Sequence, residues 1–319
     1  MDRHTRIKRR LRLRDLDILL AVAQCGSMAR AAIQLSISQP AISKVIGDME
    51  HALGVRLFDR TSQGVEPTLY GQALLRSGVA VFDDLRQGVA EIDALADPAT
   101  GEVRVAASDH IAAGLLTVVI GRLSKQYPRI SVYTTQTAIS ALPARTPPYR
   151  DLRERNVDLV LGPIINPFAD EALQAEPLFE DRLIVAAGTR NQWVRRRSVS
   201  LADLIDEPWV LPPLNTIIGG RCIDAFRQSG FQVPMATMTS TSSQVQLGLL
   251  STGRFFTMFP HSLMVCSAKR LSITALPIEL LVRSQPTGII TLKNRTISPV
   301  AQRFIECARE VARSLAKRS

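Results

Sequence analysis

Apolar residues in the first fifty positions fall at helical spacing. Leu13, Leu16, Leu19, Leu20, Val22 and Ala23 mark one helix, which Gly26 ends. Ser27 stands at an N-cap, and MARAAIQL behind it forms a short helix burying Met28, Ala31, Ala32 and Leu35. After a turn at Ser36, Ser38 caps a third helix, Gln39 to Leu53, with its apolar stripe on Ala41, Ile42, Val45, Ile46 and Met49. Pro40 falls in the first helical turn, where a missing N–H costs nothing. Val55 to Phe58 alternate as a short strand, Thr61 to Gly64 form a turn, and Val65 starts the return strand.

The helical period then continues without a proline from Thr68 to about Ala96. Leu75, Phe82, Leu85, Val89, Ile92 and Ala96 form its stripe, spaced three and four alternately from Phe82 on, as in a coiled coil. A small winged domain cannot bury such a stripe alone, so self-association through Leu75, Phe82, Leu85, Val89 and Ile92 is predicted. DPATG, Asp97 to Gly101, reads as a hinge. From Glu102 the rhythm becomes β-α-β-α-β: EVRVAAS, HIAAGLLTVVIGRLSKQYP, RISVYTT, PPYRDLRERN and VDLVLGP. DRLIVAAG, SLADLID, PWVLPP, GGRCIDAFRQSG, SSQVQLGLLSTGR, FFTMFP, TGIITLKN and a final helix from Ser298 continue it. That alternation predicts α/β structure with parallel strands.

The 319 residues suggest two domains, and 46% hydrophobic with 21% charged residues is the profile of a soluble globular chain. The net charge of +10 favours anionic partners. Arg3, Arg6, Lys8, Arg9, Arg10, Arg12 and Arg14 crowd the start, a run that suits a solvated tail, an anchor or a nucleic-acid arm. Asp15 and Asp17 interrupt the apolar stretch behind it, so it does not read as a signal peptide. Ile111 to Gly121 is too short to span a bilayer. The expected location is the cytoplasm, without a membrane partner. Cys25, Cys222, Cys266 and Cys307 contain no CxxC, and the four histidines no HxxxH or HExxH, so neither a metal nor a disulfide framework is expected. Walker A, GxSxG and GxGxxG signatures are missing, which predicts a non-enzyme without a cofactor.

The chemistry therefore rests on recognition. A helix-turn-helix inserts the N-terminal part of its second helix into the DNA major groove. Gln39, Ser43 and Lys44 share one face there. Gln pairs bidentately with adenine, while Ser and Lys reach phosphates or base edges. Arg60 on a wing would contact phosphate.

The segment DLDILLAVAQCGSMARAAIQLSISQPAISKVIGDMEHALGVRLFDRTSQGVEPTLYGQALL resembles the N-terminal domain of LysR-type transcriptional regulators, most specifically in SQPAISKVIGDMEHALGVRLFDR. The resemblance implies a winged helix-turn-helix that reads double-stranded promoter DNA. Its candidate DNA-binding set is Ser27, Arg30, Ser36, Ser38, Gln39, Pro40, Ser43, Lys44, Arg60 and Thr61. It further implies an antiparallel dimer through the linker helix, tetramers through the effector domains, and RNA polymerase as a candidate partner. Domains are expected at 1–67 (winged helix-turn-helix), 68–101 (linker helix and hinge) and 102–319 (effector domain). The last resembles the type II periplasmic-binding-protein fold, with lobe I at about 102–170 plus 280–319 and lobe II at about 171–279.

A small-molecule effector is expected in the cleft between lobes, at strand ends and helix starts. Candidates are Ser108 and Asp109 after the first strand, Thr137 and Gly162 after two others, Leu211 and Asn215 after PWV, and Thr241, Ser242 and Ser243 before QVQLGLLS. Members of the family commonly hold a carboxylate or polar effector with a Ser or Thr at the first and last of these sites. Asp109 departs from that pattern, disfavouring an anionic effector or suiting a hydroxyl-rich or amine-bearing one. The segment TLYGQAL lacks the usual acidic residue and alanine before its glycine, and the basic extension is longer than is common. Cys222 and Cys266 are far apart in sequence, against a redox switch. The alternative readings are a solute-binding protein and an architectural DNA-binding protein without an effector.

Overall fold

The computed structural model describes residues 11–61, 64–137, 149–165 and 171–316. The basic run Arg3 to Arg10, Ser62 and Gln63 of the expected wing turn, and Pro147 and Pro148 of an expected helix lie outside them. The chain divides into two compact units, 1–88 and 89–319.

In the first unit, helices α1 (Leu13–Cys25), α2 (Met28–Gln34) and α3 (Gln39–Leu53) pack around Leu19, Val22, Ala31, Ile42 and Ile46, each at most 2% exposed. Gly26 ends α1 and Gly54 ends α3, both in the left-handed conformation that favours glycine. Strands β1 (Phe58–Thr61) and β2 (Gly64–Pro67) pair antiparallel. The wing strand thus begins at Phe58, not Val55. The α3 residue Glu50 explains the shift, because its Oε1 accepts from the backbone N–H of Leu57 at 2.7 Å and of Phe58 at 3.3 Å. Leu57 N–H is committed to Glu50 and its carbonyl to Thr68 N–H, so the ladder opens one residue later, at Phe58 opposite Pro67.

Helix α4 spans Leu69–Ala96. Its predicted stripe is divided. Leu75 and Phe82 pack partly against the core of the first unit, whereas Leu85, Val89 and Ile92 are 48%, 57% and 66% exposed.

The second unit contains a sheet of order β4-β3-β5-β12-β6, formed by β3 (Thr100–Ala107), β4 (Arg129–Gln136), β5 (Leu159–Pro163), β6 (Leu173–Asp181) and β12 (Gln285–Leu292). The parallel expectation holds for β3 with β4 and β5, while β12 runs antiparallel to both β5 and β6. Residues 171–181 therefore belong with lobe I, a correction to the expected boundary. LQAEPLFED hides this strand because its apolar alternation stops after four residues, at Pro177 and the adjacent Leu178 and Phe179. Its ladder shifts register opposite Thr287 and Gly288, and a Cβ on Gly288 would lie 2.0 Å from the Glu176 carbonyl oxygen.

Lobe II holds β7 (Leu183–Gly188), β8 (Val210–Leu211), β9 (Met238–Thr239), β10 (Phe256–Pro260) and β11 (Ile273–Ala275). Its three-stranded sheet, β10-β7-β11, is antiparallel throughout, so only the β8-β9 pair and a Trp209–Phe256 bridge are parallel. Trp209, Phe226 and Phe256 are fully buried at its centre. The predicted helix after β3 is broken into a turn Asp109–Ile111, a π-helical segment Ala112–Leu116 and helix α5 (Thr117–Gln126). PPYRDLRERN yields only one turn, α6 (Arg150–Arg153). The remaining helices are α7 (Ile217–Gln228), α8 (Ser243–Ser251), α9 (His261–Leu271) and α10 (Pro299–Ala316). Lobe I meets lobe II closely at the π segment, where a Cβ on Gly114 would lie 3.1 Å from the Leu263 Cα.

Candidate functional site

The first candidate surface is the exposed start of α3. Ser38 caps it by accepting from Ala41 N–H, and Ser27 likewise caps α2 by accepting from Arg30 N–H. Ser36 turns the chain between them at φ +55°. Ile42, Ile46 and Met49 face the core, which leaves Gln39, Pro40 and Lys44 exposed and Ser43 half-buried. The helix N-terminus adds partial positive charge to this face. Arg30, Arg60 and Thr61 are exposed as well. The wing is tied to α1: Val65 N–H donates to the Gly26 carbonyl at 3.0 Å, and a Cβ on Gly64 would lie 2.1 Å from that oxygen.

The second candidate is a cavity of about 400 Å³ between the two lobes. Lobe I contributes one edge of its sheet: Ser108 after β3, Gln136 and Thr137 at the end of β4, Pro163, Asp181, and Gln285 with Thr287 at the start of β12. These ends coincide because β12 runs against β5 and β6. Lobe II contributes Pro212, Pro213, Thr216, Arg221, Thr241 and Pro260.

Of the expected residues, Ser108, Asp109, Thr137 and Thr241 line this cavity. Ser242 and Ser243 line a neighbouring depression that shares Asp109, Gln136 and Thr241 with it. Gly162, Leu211 and Asn215 do not line it. Gly162 is buried inside β5, Leu211 is 1% exposed in the lobe II core, and Asn215 is exposed in the turn before α7. Strand alternation explains Leu211, which points into the core while the prolines after it reach the cavity. His110, Gln136, Asp181, Thr216, Arg221, Gln285 and Thr287 were missed. Thr216 had a legible signal, since it caps α7 by accepting from Gly219 N–H at 3.1 Å. Asp181 and Gln285 had none, because β6 was unrecognised.

The charged groups here are all engaged by protein. The Asp109 carboxylate accepts from Ser243 N–H at 2.6 Å, from the Ser243 hydroxyl, and from Gln136 Nε2 at 3.1 Å. Asp181 accepts from Ser262 N–H at 3.0 Å and from its hydroxyl at 2.5 Å. Burial pushes the Asp181 carboxyl up, against the lowering effect of Ser262 and Arg221. Arg221 donates to the carbonyls of Asp181 and Arg283 at 3.0 and 3.2 Å, bridging the two crossings between lobes.

Burial holds His110 below the usual histidine range, opposed by Asp109 and Gln246. The ring packs edge-on against Phe259 at 5.7 Å. Its Nε2 and the Gln246 Oε1 are buried without a partner at full hydrogen-bond geometry, although Gln246 lies close enough to favour the protonated ring. The Cys222 thiol is buried and pushed up to about 12, which removes it as a reactive thiolate. Among the described residues no group of three or more His, Cys, Asp or Glu side chains could hold a metal ion, and no single helix is long and apolar enough to cross a membrane.

Comparison with known proteins bears on both surfaces. Residues 13–72 match the bacterial regulatory helix-turn-helix protein family of LysR type, and residues 96–313 match the LysR substrate binding domain. The HTH-type transcriptional regulator GbpR of Azospirillum brasilense is 27% identical over 98% of this chain and 90% of its own length. The transcriptional dual regulator GltC of Bacillus subtilis is 28% identical over 93% of this chain and 96% of its own. Full-length CbnR, solved in complex with its target DNA, superposes with a TM-score of 0.64 at 21% identity, covering 94% of this chain and 100% of that one. A helix-turn-helix followed by a two-lobed domain, both matched in order, makes this chain a member of the LysR family of transcriptional regulators.

Proposed function

We propose that this regulator binds a pseudo-palindromic promoter site as a dimer or tetramer, and that a small molecule in the inter-lobe cleft alters that binding. Gln39 and Ser43 read the major groove and Lys44 contacts phosphate beside them, with Pro40 and Ser38 at the helix start and Arg60 and Thr61 on the wing. Ser27, Arg30 and Ser36 hold the flanking phosphates. In the cleft, Ser108, Asp109, Thr137 and Thr241 are the effector-facing residues. Thr216, Arg221 and Thr287 now join them, and Gly162, Leu211 and Asn215 leave the set.

The observation that carries this reading is the cavity of about 400 Å³ joined in one chain to an exposed recognition helix. A ligand touching both lobes favours one lobe arrangement by its differential affinity, and linkage transmits that preference to DNA binding. The cytoplasm is the compartment such a function requires, and RNA polymerase is its downstream partner. The experiment is a metabolite library screened by thermal shift, with each hit retested on retardation of a promoter fragment. A hit that stabilises the protein and changes promoter affinity supports the reading. Hits that stabilise without changing promoter affinity would favour a solute binder, and promoter binding with no hit an architectural role.

A further inference from the structure

The cleft holds an anion of its own. Asp109, from lobe I, lies at the first turn of α8 in lobe II, and its carboxylate takes both the backbone N–H and the hydroxyl of Ser243. Ser243 is fully buried, so those donors have no other exit. A helix N-terminus favours an anion through its free N–H groups and its dipole. Here that anion is covalently part of the protein and bridges residues 134 positions apart.

The rest of the chamber is charge-compensated. Asp181 is held by Ser262, and Arg221 lies against Asp181 while donating to two backbone carbonyls. The wall adds neutral polar groups: the Thr137 and Thr241 hydroxyls, and Gln136, Thr216, Gln285 and Thr287, each of which already donates one hydrogen bond within the protein and keeps acceptor capacity. Between them stand prolines and isoleucines, suited to the apolar faces of a ring. The volume, about 400 Å³, sits low in the range of about 300–1,000 Å³ for small-molecule pockets, so the occupant is compact.

We propose that Asp109 is a built-in occupant of the anion-favouring α8 N-terminus at this cleft, and that the effector is an uncharged, hydroxyl-rich small molecule held in the chamber beside it. The proposal rests on the effector reading of the cleft given above. A carboxylate ligand would meet α8 donors already taken and the Asp109 and Asp181 carboxyls, and the cation in the lining, Arg221, is already turned onto the Asp181 and Arg283 carbonyls. A polyol or sugar can donate its hydroxyls to the acceptor oxygens of these side chains, pairs with the Thr137 and Thr241 hydroxyls, and loses no charge solvation on entry.

The test uses matched pairs that differ only in a carboxyl group, such as a hexose and its hexonate, titrated calorimetrically into the full-length chain at constant ionic strength. Inorganic sulfate is the second probe, applied to wild type, Asp109→Ser and the isosteric Asp109→Asn, each checked for folding by circular dichroism. The expected results are binding of a neutral member with its acid at least about tenfold weaker, and a gain of about tenfold in sulfate affinity in Asp109→Ser. An acid that binds wild type more tightly than its neutral partner overturns the proposal and leaves the effector reading intact. Folded Asp109→Ser and Asp109→Asn proteins that both gain no sulfate affinity overturn the role of Asp109. Sulfate gained while no pair member alters promoter binding removes the effector reading but supports the occupancy by Asp109.

Discussion

The exposed half of the α4 stripe gives a quantitative expectation. Leu85, Val89 and Ile92 of the stripe are 48%, 57% and 66% exposed, and Leu95, one turn beyond Ile92 and flanking the stripe, is 85% exposed. Together they leave about two and a half side chains' worth of apolar surface in water, and at about 1.5–3 kcal/mol per buried side chain, covering it offers roughly 4–8 kcal/mol per protomer. Two protomers pairing these faces reach about twice that, enough to meet an association cost of about 4–15 kcal/mol in much of its range. Replacing Val89 and Ile92 together with Asp removes about half of the apolar gain and places carboxylates in the seam. The predicted loss exceeds about 3 kcal/mol, or more than a hundredfold in the dimer dissociation constant. Sedimentation velocity at micromolar protein should show the variant stepping down in mass, with unchanged far-ultraviolet circular dichroism. A folded variant that sediments like the parent would refute pairing through this face.

Three further outcomes are expected. Lys44→Ala should weaken binding to all DNA sequences and reduce the slope of log affinity against log salt by about one, measured by anisotropy over a salt series. Arg295→Met should cost about 3–5 kcal/mol in urea unfolding, because it removes the cation that pairs the buried Asp158 carboxylate at 2.7 Å while the Arg104 N–H still holds its other oxygen. Burial holds both His110 and His261 below the usual value of 6.5, with Arg182 also lowering His261. The unfolded chain takes up these protons near pH 6.5 and the folded chain only at lower pH, so their effect on stability is absent above 6.5 and destabilising as pH falls below it. The difference in urea midpoint between wild type and His110→Gln with His261→Gln should therefore shift in favour of the variant on acidification. Midpoints that stay parallel across pH 6.5 would contradict it.

The N-terminal unit was legible because its signals are local. Caps at Ser27 and Ser38, the first-turn Pro40, and terminal Gly26 and Gly54 each sit within a few residues of the structure they specify. The wing start was misread because Glu50 acts on it from another helix, seven residues before Leu57. In the second unit, strands with continuous apolar runs such as LVLGP and FTMFP were found. LQAEPLFED was not, because its stability comes from the long-range ladder with β12 and from Arg309 paired to Glu176 at 2.7 Å. The cleft suffered in turn: Asp181, Gln285 and Thr287 enter its wall from strand ends whose position depends on that ladder. Asp109 was singled out in the sequence as an unusual acid, yet its partner Ser243 could be recognised only once the lobes were assembled.

The most direct test of the account is the affinity of the full-length protein for its own promoter fragment and for a scrambled fragment, measured by fluorescence anisotropy at fixed salt, before and after Gln39→Ala with Ser43→Ala. Each good base contact contributes about 1–3 kcal/mol of discrimination, so the double variant is predicted to bind the promoter no better than the scrambled fragment, with the residual binding still salt-sensitive. A double variant that retains the wild-type preference for the promoter would contradict the assignment of α3 as the reading helix.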